Sequence, residues 1–310
     1  NLGEDYLGVV CKQFPRYSEY YGTIKESGIG LACEEAARII LSENRPFSME
    51  TAACDEEYEP SSEYDSSFAL QIFAAREAVF KILAKESLSI HEKLIVILDM
   101  GSKIQQCINT DEYDNIKSVV NDYLKEGIAH TLDETRNLSD SGQFEDISLQ
   151  QGIRQILYPY EEMEVLNPEW EVILKDIIDS LFEQMSDEEY NILNEEFGTY
   201  MVSRAYEYRQ LLEYLVFRYF AKSIYDYDFL GKCQMLVTNF FVIRQMDIIR
   251  WLDNHREYSF KDRMDVVHIF SRQVEYSEDN IENLYEDFIF DDIFKTDSLI
   301  AILWIDSENI

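Results

Sequence analysis

The stretch Leu236–Leu252 (LVTNFFVIRQMDIIRWL) is apolar on most faces when read at helical spacing. A helix that is hydrophobic nearly all round cannot lie on a surface and has to be enclosed by other elements. No uncharged apolar run reaches the ~18 residues of a membrane span, so the enclosure expected is protein and the chain is expected to be soluble. With 310 residues, 46% of them hydrophobic and including 18 Phe and 21 Tyr, the chain has enough apolar side chains to build that enclosure.

Further helices are written along the sequence. Phe68, Ile72, Phe73, Val79, Phe80 and Leu83 fall near helical spacing. Ser89-Ile-His-Glu92 is a capping box that opens a helix through Leu94, Ile97 and Leu98 to Ile104. Tyr113–His130 reads as a helix followed by a polar stretch, Asp133–Ser148. Asn167-Pro168 reads as an N-cap and first helical position ahead of Trp170–Met185, and Ser186-Asp-Glu-Glu189 is a second capping box. Leu211, Leu212, Leu215, Val216, Tyr219 and Phe220 form a double-width stripe, and helices around Val266–Gln273 and Ile281–Ile289 close the chain.

Residues that favour strand, punctuated by Gly22, Gly28 and Gly30, concentrate in Tyr17–Leu31, which predicts one hairpin. A helix over Ala32–Leu41 follows, ending before Pro46. The acidic, Ser-rich and Pro-broken stretch Cys54–Tyr64 is the expected boundary between an N-terminal region, residues 1–54, and a helical domain, residues 65–310. No repeat of roughly 20–50 residues is evident, which argues against a solenoid. The expected fold class is mainly α, multi-helical, with a small β-hairpin near the N-terminus.

Acidic residues number 61 against 27 basic, a formal net charge of −34. Such a surface repels nucleic-acid phosphates and anionic lipid heads, so neither is expected as a partner. It serves solubility first and would also draw a lysine-rich protein. The five cysteines, Cys11, Cys33, Cys54, Cys107 and Cys233, are odd in number and scattered, as expected of reduced thiols in a cytoplasm. No basic-then-apolar leader opens the chain. It begins without Met and inside a helix-like run, Glu4–Val10, and so reads as part of a longer protein.

Few segments carry chemistry on their face. Glu26-Ser-Gly28-Ile-Gly30 before a helix has the outline of a nucleotide-binding loop, yet Ala32 holds the third glycine position and no βαβ alternation follows. Turn chemistry is the favoured account. The chain has no CxxC, nucleophile elbow or P-loop, and its histidines, His91, His130, His255 and His268, stand apart. Arg272 and Glu275 are placed to form an i, i+3 ion pair on a helix surface. Glu213–Phe220 (EYLVFRYF) reads chiefly as core with Arg218 at its edge. Cys11, three residues before Phe14-Pro-Arg16, is either a buried structural thiol or one ligand of a metal site, since a closed site needs about four protein ligands.

LGEDYLGVVCKQFPR (residues 2–16) resembles the Leu-Gly-Glu-x-Tyr-Leu…Cys-x-x-Phe-Pro-Arg segment of the flagellin lysine-N-methylases, and GLACEEAARIIL (30–41) resembles that family's Ser-Cys-Pro-Glu-Ala-Ala-Arg segment. Residues 68–98, LLEYLVFRYF (211–220) and HIFSRQVEYSEDNIENL (268–284) are similar to its later helical segments, so the likeness runs in order along most of the chain. It departs at Ala32 and Glu34, where the family has Ser and Pro.

The resemblance implies S-adenosylmethionine-dependent methyl transfer to lysine side chains of flagellin. It also implies a cysteine-rich N-terminal region holding an Fe–S cluster or zinc, with Cys11 as a metal ligand and Cys33 as a second candidate. Arg16, Arg38, Arg272 and Glu275 lie in the resembling motifs, where ion pairing is the role their spacing suggests. Two other classes remain open on the residues alone: a non-catalytic helical protein that docks a lysine-rich partner, and a metal-cluster carrier. The catalytic and S-adenosylmethionine-binding residues, the lysines modified and the oligomeric state are not legible in the sequence.

Overall fold

A computed structural model describes residues 14–53, 65–140 and 147–308. Strands β1 (Arg16–Tyr21) and β2 (Ile24–Ile29) pair antiparallel, with Arg16 opposite Ile29 and Tyr21 opposite Ile24. Gly22 makes the turn at φ 62°, a left-handed conformation that costs glycine little. Gly28 faces Tyr17 across the ladder, where a Cβ would stand 2.5 Å from the tyrosine hydroxyl. The missing side chain is what lets the ring lie across the strand.

Helix α1 (Glu34–Leu41) follows, starting two residues later than expected because Cys33 takes the extended N-cap conformation. Its first turn gains from Glu34 and Glu35 beside the positive end of the helix dipole. Then come α2 (Ser66–Leu83), capped by Asp65, and α3 (Ile90–Asn109), opened by the Ser89–Glu92 capping box. After a 3₁₀ turn at Tyr113–Asn115, the chain forms α4 (Ile116–Asp122), a π-helical turn at Tyr123–Gly127 and α5 (Ile128–Asp140).

The single helix expected over residues 113–130 is thus broken, and helix continues into the stretch expected to be polar loop. Two threonines explain the extension. Thr131 donates to Asp99 on α3 at 2.7 Å, and Thr135 accepts from the Trp304 indole at 3.1 Å. Both are buried with partners, so this face needs no aliphatic side chains to be held against the core.

Next are α6 (Leu149–Glu161), α7 (Pro168–Ile177) with a π turn at Ile178–Glu183, α8 (Asp187–Met201), α9 (Ala205–Tyr219) and the single turn α10 (Ser223–Asp226). Then follow α11 (Phe229–Asp253), α12 (Phe260–Phe270) with a π turn at Ser271–Glu275, α13 (Glu278–Phe290) and α14 (Thr296–Glu308). Asn167 and Ser186 cap their helices as the sequence predicts. Among the described residues the fold is mainly helical with one small hairpin.

Helix α11 is the enclosed one, packed by α3, α6, α7, α9, α12, α13 and α14. It packs tightly on α3, where Gly101 leaves room for the Cys233 thiol. The charged groups α11 takes inside face oppositely charged partners, although Asn239 Nδ2, Arg244 Nε and Trp251 Nε1 make no hydrogen bond. Asp247 accepts from Tyr208 at 2.5 Å, from Arg263 at 2.6 Å and from Tyr258, while Arg263 also donates to Glu207 at 3.0 Å. Arg244 stands 3.7 Å from Asp306, which His91 meets at 2.7 Å. Burying charge is costly unless it is paired, and these networks supply the pairs. Among the described residues no helix is long and apolar enough to cross a membrane.

Candidate functional site

Two of the stretches with family-like sequence meet Tyr17 at the base of the hairpin. Arg218 and the tyrosines Tyr214 and Tyr219 come from α9, Glu275 from the π turn after α12, and Tyr17 from β1. Glu275 Oε2 accepts from the Tyr214 hydroxyl at 2.7 Å and the Tyr219 hydroxyl at 3.1 Å, and pairs with Arg218 Nε at 3.0 Å. The Arg218 guanidinium lies 4.4 Å from the centre of the Tyr17 ring. Tyr214 also accepts from the Leu31 backbone at 3.4 Å, which ties the cluster to the chain leaving the hairpin. Burial pushes the Tyr17, Tyr214 and Tyr219 phenols well above their usual range, so all three stay neutral donors.

The π turn is the reason Glu275 is inside. A π turn advances fewer degrees per residue than an α turn, so residues three apart no longer share a face. The surface pair expected between Arg272 and Glu275 therefore does not form. Arg272 is exposed beside Glu34, Asp265 and His268, while Glu275 is buried against α9.

A groove runs beside this cluster, between the hairpin, α9 and the segment 43–53. It holds two cavities of about 660 and 300 Å³ that share Phe47, Ser48 and Phe217 as walls. Phe47 stacks on Phe80 of α2 at 4.2 Å and tilts over Phe217 at 5.9 Å, standing between the two. The larger cavity also meets Tyr20, Lys25, Glu26 and Glu50. The smaller is lined by Tyr17, Gly28, Gln210, Glu213 and Tyr214. Bonds from α9 hold the segment in place: Arg209 donates to Asn44 Oδ1 at 2.9 Å and to the Arg45 carbonyl at 3.1 Å, and Gln210 donates to the Glu43 carbonyl at 2.5 Å.

Glu213 is the buried carboxylate of the smaller cavity. Its Oε1 accepts from Arg209 Nη1 at 2.7 Å. Burial raises its pKa, against the opposing charges of Arg209 and Lys93. Lys93 on α3 is itself buried, and burial together with the Arg209 charge pulls its pKa down.

The Glu26-x-Gly28-x-Gly30 stretch turns out to be architectural, though mainly through packing across the hairpin. Glu26 is gripped by both terminal nitrogens of Arg76 on α2, one bond being 2.6 Å, Gly28 admits the Tyr17 ring, and Gly30 donates to the Pro15 carbonyl at 2.8 Å. Arg38 pairs with Glu35 on the surface of α1, and Arg16 begins β1.

Cys11 lies outside the described residues. Cys33 is a half-buried free thiol at the N-cap of α1, within electrostatic reach of Tyr276, whose ring is 6.3 Å from that of Phe14. Among the described residues no three His, Cys, Asp or Glu side chains are grouped to hold a metal ion, so Cys33 does not by itself make a site.

The sequence reading passed over Tyr17, Glu213 and Tyr214 as site residues. A signal for Glu213 was available: an acid inside an apolar stripe, with Arg209 four residues before it.

No curated protein and no solved structure matches the chain. The family model described as the FliB lysine N-methylase C-terminal domain matches residues 76–302, which include α9, Glu275 and the Phe217 wall of the groove. The chain belongs to the flagellin lysine N-methylase family that its sequence motifs resemble.

Proposed function

We propose that this protein transfers methyl groups from S-adenosylmethionine to lysine side chains of flagellin. The family match over residues 76–302 carries the reading. The groove supports it, because both cavities fall within the ~300–1,000 Å³ of small-molecule sites. The larger one fits a nucleoside carrying positive charge: Tyr20, Phe47 and Phe217 offer ring faces, and Glu50 offers a carboxylate not committed to an arginine as Glu26 is. S-adenosylmethionine bound there would supply an electrophilic methyl group. The protein's share of the work is to position the lysine and to take its proton, since a lysine of pKa ~10.4 arrives as an ammonium.

We further assign Cys11 and Cys33 as ligands of an Fe–S cluster or zinc in the intact protein. The Phe14–Tyr276 ring contact supports this, because Phe14 stands three residues after Cys11 in sequence and Tyr276 is within electrostatic reach of Cys33. A cytoplasmic reaction is part of this reading, supported by scattered cysteines of the kind kept as reduced thiols.

The test is to incubate the intact protein, including any sequence before Asn1, with S-adenosylmethionine and flagellin, and to map methyl groups by mass spectrometry. Methylated lysines are expected, at a rate that falls with salt when substrate is scarce, because the acidic surface assists encounter. Flagellin that binds yet stays unmodified would replace this reading with that of a helical binding protein.

A further inference from the structure

We infer that the 300 Å³ slot beside β1 receives the acceptor lysine and that Glu213 Oε2 takes the ε-ammonium proton. The inference rests on the function proposed above and deepens it. Arg209 occupies Oε1 of this carboxylate, no hydrogen bond among the described residues reaches Oε2, and Glu213 lines the slot. Tyr17, Tyr214, Phe47 and Phe217 line the space with aromatic side chains, which suit both the tetramethylene stem and the charged head of a lysine.

The charges next to Glu213 favour the neutral amine. Lys93 and Arg209 already act on Glu213, so an added ammonium meets repulsion that lowers its pKa. Proton transfer resolves it: an N–H bond of the ammonium breaks, its electron pair stays on nitrogen as the nucleophilic lone pair, and the proton bonds to Oε2. Burial already raises the pKa of Glu213, which narrows the gap between donor and acceptor. The titratable and charged groups facing Glu213 are Tyr17 from β1, Lys93 from α3, Arg209 and Tyr214 from α9, and Arg45 from the segment 43–48.

The experiment uses the intact protein, Glu213→Gln, and Ser48→Trp. Gln retains an oxygen for Arg209, and Ser48 is an exposed loop residue at the slot, where an indole fills the space without replacing a helix residue. The first readout is titration with n-butylamine, the lysine side chain without its backbone, followed by the ring NMR signals of Tyr17 and Tyr214. Saturable shifts are expected in the wild type, at least ~10-fold weaker in Glu213→Gln and absent in Ser48→Trp. The second is flagellin methylation: Glu213→Gln should lose about 100-fold or more in kcat, beyond any rise in KM from the weaker binding, and kcat should recover as pH rises toward the lysine pKa.

No butylamine binding in the wild type, or a Glu213→Gln kcat within 2-fold of wild type, overturns the inference. Saturable binding that both substitutions abolish, with no methylation of flagellin by the wild type, keeps the slot and defeats the proposed function instead.

Discussion

Arg218 Nε lies 3.0 Å from Glu275 Oε2 beneath the hairpin, and the carboxylate side chain is 1% exposed. Removing one member of a buried pair strands the other, which costs about 3–5 kcal/mol. Glu275→Ala also strips two tyrosine hydroxyls of their acceptor. Urea unfolding should show a loss of that size for Glu275→Ala, and only about 1 kcal/mol for Tyr219→Phe. Arg218→Met with Glu275→Leu should recover much of the single-variant loss; a strictly additive double variant would mean the two residues are not coupled.

The α3–α11 contact depends on the absence of one methyl group. A Cβ on Gly101 would stand 2.5 Å from Cys233 Sγ. Gly101→Ala should therefore destabilise by about 1–3 kcal/mol, although alanine is the better helix former. Adding Cys233→Ala should restore most of the loss. A thermal melt of the double variant no better than that of the single would place the clash elsewhere.

Asp306 makes an acid-side contribution to stability. Burial alone would raise its pKa, but the Arg244 charge and the hydrogen bond with His91 outweigh it and hold the carboxyl below its ordinary value. The unfolded chain therefore binds the proton more readily, so this contribution is complete above the unfolded pKa and is lost as pH falls through the folded one. Asp306→Asn should cost about 1–3 kcal/mol at pH 7 and flatten the stability profile below about pH 4, read by denaturant melts across that range. An unchanged slope would remove Asp306 from the account.

If Cys33 is a ligand, Cys33→Ala in the intact protein should lower the iron or zinc bound per chain and lower the melting temperature of the metal-loaded form. Elemental analysis decides it. Full metal occupancy in the variant would return Cys33 to an ordinary N-cap residue.

Legibility followed the range of the interactions involved. Local chemistry could be read: Ser89, Ser186 and Asn167 cap the helices they precede, because a cap is settled within four residues. Ser259 also opens a capping box, but Asp262 supplies the return bond, and the start of α12 at Phe260 was not anticipated from the Glu-type pattern. The enclosed helix was legible from its all-round apolar character. The site was less so. Arg218 and Glu275 lie on different helices, and neither neighbourhood in sequence announces the other. Glu213 is concealed inside a stripe that is otherwise core, and Thr135 falls in the stretch read as polar because its partner comes from α14.

The π turn at Ser271–Glu275 makes the site vulnerable to a change of a single codon. Deleting one residue there lets α12 run on as an ordinary helix, yet it rotates everything beyond by about 100°. The carboxylate at the end of the turn would then leave Tyr214 and Tyr219, while the helix kept its length, composition and amphipathic face. Sequence comparison across the family should accordingly treat indels in this turn as more consequential than many substitutions. Two chains that align well everywhere else can differ at this one gap in whether the cluster exists at all.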